Sequence, residues 1–231
     1  MIPVGDNVPR RCDPIVNWCL IIANVVVFFI ELAQGPDIEA FVYRWAVVPA
    51  VLTGQVGAAA DAPPPVVTVF SAMFLHAGWG HLLGNMLFLW IFGDNVEDAM
   101  GQVRYLVFYL LCGVVATFAF VALAPGTTAP SLGASGAISG VLAAYLIMHP
   151  RAMVLVVIPL FLLFPVVQVP AFLMLGLWIL TQFIYGVASL AATNEGGGVA
   201  WWAHVGGFVA GVVLLPLFRR RREEYLTAEY R

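Results

Sequence analysis

The sequence predicts an all-α polytopic membrane protein of six transmembrane helices, and three observations lead there. Of 231 residues, 62% are hydrophobic and 10% charged, with a mean hydropathy of +0.95. A soluble domain of this length could not hide so much apolar surface, so lipid is the solvent for most of the chain. Apolar runs of about 19 residues recur, the length that crosses a roughly 30 Å hydrocarbon core at 1.5 Å per residue. The basic residues, all arginine, cluster at alternate ends of these runs. A net charge of −3 leaves no broad basic face for phosphates, which excludes a general nucleic-acid role. Cys12, Cys19 and Cys112 are odd in number and scattered, and read as free thiols with neither a disulfide framework nor a CxxC metal signature.

Residues 1–14 are a polar leading segment ending in Arg10-Arg11, expected on the cytoplasmic side. A membrane domain spans 15–218. Its first span, Ile15 to about Ala33, has spanning length without a small-residue cleavage pattern after it, and reads as a signal anchor. A long external connection, 34–68, is rich in Pro and Gly and carries Phe41, Tyr43, Trp45, Val47 and Val48. Two readings of it stand, a loop sunk into the interface and an ordinary extramembrane loop. Span two covers about Gly80 to Phe92 and ends in the acidic cluster Asp94, Glu97, Asp98.

Span three runs from Tyr105 to about Leu123, and a Pro/Gly break at 125–130 follows. Span four, Ser135 to Met148, is short at about 21 Å, so its non-helical leader, 130–134, is expected to sink into the membrane. Irregular backbone is tolerated there only against protein or a wet cavity. Met153 to Val169, punctuated by Pro159, Pro165 and Pro170, reads as an interfacial or re-entrant connection. Span five is Ala171 to Leu190, a Gly-rich loop occupies Thr193 to Gly198, and span six is Trp201 to Phe218. A tail, 219–231, begins with four arginines. Placing Arg10, Arg11, Arg104, Arg151 and Arg219 to Arg222 inside leaves Arg44 outside, with both termini cytoplasmic.

In that topology spans two, four and six run in the same direction. His81 and Asn85 near the start of span two, Ser135 at the start of span four and His204 in the first turn of span six then share one depth. Gly136-xxx-Gly140 and Gly207-xxx-Gly211 give spans four and six the spacing that lets two helix backbones approach in lipid. His204 and Gly207, three apart, share a face, as do His81 and Asn85, four apart. Serine needs a neighbouring base to become a nucleophile, and His204 is positioned to be one. His81, Asn85 and the Ser135 backbone N–H, at a positive helix terminus, suit a developing oxyanion. No carboxylate in the spans is expected at the depth of Ser135, so the pair reads as a dyad.

These residues bring a family into view. Gly133-Ala134-Ser135-Gly136, the run Met73 to Asn85 with His76, His81 and Asn85, and Ala203-His204-Val205-Gly206-Gly207 together resemble the rhomboid intramembrane serine proteases along nearly all six spans. The resemblance implies a rhomboid-like bundle whose short fourth helix opens at the nucleophile. It implies Ser135 as nucleophile, His204 as general base, oxyanion contacts from His81, Asn85 and the Ser135 backbone, and Gly133 as the permissive residue before the nucleophile. The implied substrates are transmembrane helices of membrane proteins, hydrolysed at a peptide bond in or beside the helix, without a cofactor or metal. Two positions depart from the pattern. Ser139 stands where some members carry a Tyr that stacks on the histidine, so Trp201 or Trp202 is expected to hold His204. The Trp-Arg pair of some first loops is absent, Arg44-Trp45 being reversed.

Blander readings stand beside these. Ser135 alone is explained by helix contact, and each of His81, Asn85 and His204 by a hydrogen bond across helices; their coincidence is what argues for function. His76 is expected to be structural and His149 a solvated interface residue. A metal site from His76, His81 and His204 lacks HExxH and a carboxylate. Phe172, Trp178 and Phe183 of span five read as lipid-facing or core, with a lateral substrate entry as the functional alternative. A non-catalytic rhomboid-like client binder is the competing function, though it has no need of an intact Ser135–His204 pair. A bacterial cytoplasmic membrane is the expected location, from the compact six spans and missing organelle presequence.

Overall fold

Among the described residues, 2–59, 61–160, 163–191 and 200–220 of a computed structural model, the runs read as spans are all helical. The Gly-rich loop at 193–198 and the tail beyond Arg220 lie outside the described residues. The elements are α1 (Ile15–Ala33), α2 (Ile38–Trp45), α3 (Pro49–Leu52), α4 (Pro65–Ser71), α5 (Trp79–Met100), α6 (Gln102–Leu123), α7 (Ser135–Met148), α8 (Ala171–Ala191) and α9 (Trp201–Phe218). Helices α1, α6, α8 and α9 are long and apolar enough to cross a membrane; Pro65–Phe74 with Trp79–Met100, bent by 80°, makes a fifth if counted as one span. Helix α7 has 14 residues. Length and composition therefore support four or five crossings where the sequence predicted six, because α7 is too short to qualify alone.

Helix α7 is the centre of the bundle. Every residue from Gly136 to Tyr145 is buried, as expected of a helix apolar on all sides. Helices α5, α6 and α9 pack around it. Against α9 the fit is backbone to backbone: a Cβ on Gly207 would overlap the carbonyl of Gly136, and one on Gly211 that of Gly140. Small residues thus set the approach of the two helices that carry the serine and His204.

At the end of the bundle away from Ser135, the acidic cluster belongs to α5 itself, which continues past the expected end at Phe92. Glu97 accepts the backbone N–H groups of Val16 at 3.0 Å and Asn17 at 2.7 Å. A carboxylate satisfies orphan donors where the α1 dipole favours negative charge. Asn17 in turn donates to the Leu89 carbonyl and accepts from the Tyr105 hydroxyl, joining α1, α5 and α6.

Two expectations are corrected at that end. The leading segment and the connection after α7 form an antiparallel sheet of β1 (Ile2–Asp6), β2 (Met153–Val157) and β3 (Val166–Pro170), in the order β1-β2-β3. The prolines that argued against a continuous helix bound the β2–β3 turn or close β3, leaving Val-rich runs free to pair. Asp6 at the end of β1 accepts from the Tyr145 hydroxyl at 2.5 Å and from Asn95 Nδ2 at 3.2 Å, tying the strand to α7 and α5. Burial pushes its carboxyl above the usual aspartate range, opposed by the Tyr145 and Val8 hydrogen bonds and by nearby His149. His149, expected to be solvated, is partly desolvated there and becomes harder to protonate.

The first connection is not one irregular loop, since α2 and α3 lie within it. Its stretch Ala46 to Val48 and Ala50 is buried. Arg44 pairs with Asp61 at its exposed rim.

Candidate active site

The leader into α7 is held from two sides. Val47 and Ser131 exchange backbone hydrogen bonds at 3.1 and 2.7 Å, and Gly133 N–H donates to the Ala72 carbonyl at 2.8 Å. The non-helical backbone is thereby satisfied within the protein. Gly133 sits at φ +122°, where a side chain is strained, and a Cβ there would lie 2.7 Å from His81 Nε2. Glycine alone lets the imidazole come this close.

Ser135 opens α7 directly after this turn. Its Oγ lies 2.8 Å from His204 Nε2, a bond between α7 and α9. Both line a cavity of about 740 Å³, with His81 and Asn85 on the α5 wall and Leu132, Ile138 and Trp178 among the apolar lining. His81 Nδ1 accepts the Ala77 N–H at 3.3 Å, which puts the ring proton on Nε2, the nitrogen beside Gly133. Asn85 is buried and its Nδ2 has no protein partner. An uncommitted buried donor on the wall shared with Ser135 is available to a ligand oxygen. The structure thus brings Ser135, His204, His81 and Asn85 around one cavity, with Gly133 packed against the His81 ring.

Three features here were missed in the sequence. His204 Nδ1 lies 2.7 Å from Oε1 of Gln182, a buried residue of α8. The sequence signal was available: an amide in an otherwise apolar span is costly and asks for a reason. The second is Trp178, since of the two tryptophans against the ring only Trp201 was expected. Trp178 lies over His204 with centroids 5.8 Å apart, and Trp201 meets it edge-on at 6.2 Å. Trp202, offered as an alternative, instead packs on Phe183 and Gly186 of α8. Ser139 takes no part in holding the ring, because its hydroxyl donates to the Ser135 carbonyl at 2.6 Å. The third is Glu31. No carboxylate was expected in a span near Ser135, yet Glu31 of α1 is fully buried and accepts the His76 N–H at 3.0 and 3.2 Å. It fixes the bend before α5, where the His76 ring meets His81 edge-on at 5.1 Å. Of the span-five aromatics, Trp178 lines the cavity while Phe172 and Phe183 face outward.

Fold and site together define a helical membrane protein with a serine–histidine pair in a cavity of its bundle. The chain belongs to the rhomboid family: the Rhomboid domain profile matches residues 64–221. It is 32% identical over 145 residues to the presenilin-associated rhomboid-like protein, mitochondrial, of Bos taurus, covering 62% of this chain and 35% of that protein. It is 32% identical over 155 residues to rhomboid-like protein 11, chloroplastic, of Arabidopsis thaliana, covering 65% and 51%. Against rhomboid protein 1, mitochondrial, of Saccharomyces cerevisiae the identity is 31% over 153 residues, covering 64% and 40%. The chain thus spans between a third and about half of these relatives' lengths.

The relatives overturn the expected bacterial cytoplasmic membrane, because they are mitochondrial and chloroplastic proteins. Spans of the right length report a lipid solvent and not which membrane supplies it.

Proposed function

We propose that this chain is an intramembrane serine endopeptidase that hydrolyses peptide bonds in or next to transmembrane helices of membrane-protein substrates. The observation that carries the reading is the 2.8 Å contact between Ser135 Oγ and His204 Nε2 inside a cavity also lined by His81 and Asn85. Ser135 Oγ attacks the scissile carbonyl carbon as its proton passes to His204 Nε2. The carbonyl oxygen gains the negative charge, and His81 Nε2–H, Asn85 Nδ2–H and the Ser135 N–H at the α7 terminus are the donors suited to receive it. The imidazolium then gives its proton to the leaving amine, and the C–N bond breaks. Water, deprotonated by the same histidine, attacks the ester and releases the acid and the free Ser135 hydroxyl.

A substrate helix must unwind locally first. Its carbonyls are bonded within the helix and shielded by side chains. The apolar lining by Leu132, Ile138 and Trp178 suits apolar side chains of such a segment.

The test is cleavage of single-span reporters carrying Gly within the helix, co-reconstituted in liposomes with wild type or Ser135→Ala. Cleavage by wild type and none by the variant is expected. Equal cleavage by both would overturn the reading.

A further inference from the structure

Gln182 sits where a two-residue mechanism has no use for it. It is 6% exposed, in the middle of an apolar helix. Its polar groups are nevertheless committed. Nε2 donates to the Trp178 carbonyl at 3.2 Å and to Thr181 Oγ1 at 3.3 Å, while Oε1 faces His204 Nδ1 at 2.7 Å. Thr181 itself donates to the Trp178 carbonyl at 2.6 Å, so its oxygen is free to accept from the amide.

The amide nitrogen already has two acceptors, which fixes the orientation of the carboxamide. Its oxygen therefore meets the imidazole, and the imidazole has to donate. That places the ring proton on Nδ1 and leaves the Nε2 lone pair aimed at Ser135 Oγ. The other neutral tautomer would set two lone pairs against each other at Nδ1 and offer Ser135 no acceptor. Once Ser135 has passed on its proton, both ring nitrogens donate, and the negative end of the amide dipole faces the new charge. Trp178, four residues earlier and so on the same face of α8, covers the ring. One face of α8 thus supplies both the acceptor and the packing.

We infer that Gln182, through its hydrogen bond to His204 Nδ1, is the positioning residue that orients the base toward Ser135. The inference rests on the proposed protease reading for its catalytic meaning, but the tautomer it demands is observable without catalysis.

The test uses full-length protein in detergent, carrying ¹⁵N-labelled histidine, as wild type, Gln182→Leu and Gln182→Glu. Resonances are assigned by loss in His204→Ala. Wild type should show the neutral Nδ1–H form at His204, Gln182→Leu should lose that preference, and Gln182→Glu, which keeps an acceptor at the same reach, should retain it. Labelling of Ser135 by a fluorophosphonate should slow roughly tenfold to a hundredfold in Gln182→Leu, part of what a positioned base contributes, and recover in Gln182→Glu. A Gln182→Leu protein that folds, keeps the Nδ1–H form and labels at the wild-type rate would overturn the inference. A wild type that never labels but shows the Gln182-dependent tautomer would sink the protease reading and leave the positioning role standing.

Discussion

The carboxylate of Glu97 accepts the backbone N–H of Asn17 at 2.7 Å, so the last turn of α5 closes the first turn of α1. A second bond, from Val16, doubles the link at the end of the bundle away from Ser135. Replacing Glu97 by Ala leaves two donors at a positive helix terminus without a partner. We expect about 2 kcal/mol lower stability, read as a drop in thermal midpoint, with Ser135 labelling unchanged below the new transition. A loss of labelling without a loss of stability would contradict the separation of the two ends.

Helix α7 meets α9 through glycine backbones, and the consequence is directional. Gly207→Ala pushes its methyl into the Gly136 carbonyl, within one turn of Ser135. Overpacking of this kind costs about 1–3 kcal/mol. Because the displaced helices carry Ser135 and His204, probe labelling should fall more steeply than the melting temperature suggests. Gly176→Ala is the control, since its Cβ would meet nothing within 4 Å.

The α5 wall makes a different demand. His81→Ala or Asn85→Ala removes one oxyanion donor, and each should lower reporter cleavage by about 10²–10³-fold. Asn85 Nδ2 has no protein partner to lose, so its removal should leave the thermal midpoint nearly unchanged. A large fall in stability with normal cleavage would assign Asn85 to packing instead.

Asp6 gives the sheet a pH response. Its folded carboxyl holds the proton more tightly than the unfolded one because of burial. The folded state therefore binds more protons between the unfolded and folded values, and stability falls as pH rises through that window, then levels. Thermal midpoints measured upward from about pH 4, near the ordinary aspartate value, should show this decline in wild type and a shallower one in Asp6→Asn. A wild-type profile rising across the window would reverse the sign.

What was legible in the sequence followed from local pattern. The start of α7 at Ser135 and both ends of α9 were readable from apolar runs and their breaks. The first turn of α9 with His204, and the pairing of Gly136 and Gly140 with Gly207 and Gly211, came from helical spacing. Partners set by tertiary approach were not readable in this way. Gln182 meets His204 from 22 residues away, and Glu31 meets His76 from 45. The sheet was missed for a related reason. Residues 2–6 pair with a strand about 150 positions on, and no periodicity in either run announces the other. Prolines weighed as helix breakers turned out to frame a hairpin.

The central claim is an activated Ser135. It is tested most directly by reacting the purified, detergent-solubilised protein with a fluorophosphonate probe and mapping the adduct by mass spectrometry. Wild type should carry one adduct, on the peptide containing Ser135, absent from both Ser135→Ala and His204→Ala. A folded wild type that stays unlabelled, or labelling that persists in Ser135→Ala, would contradict it.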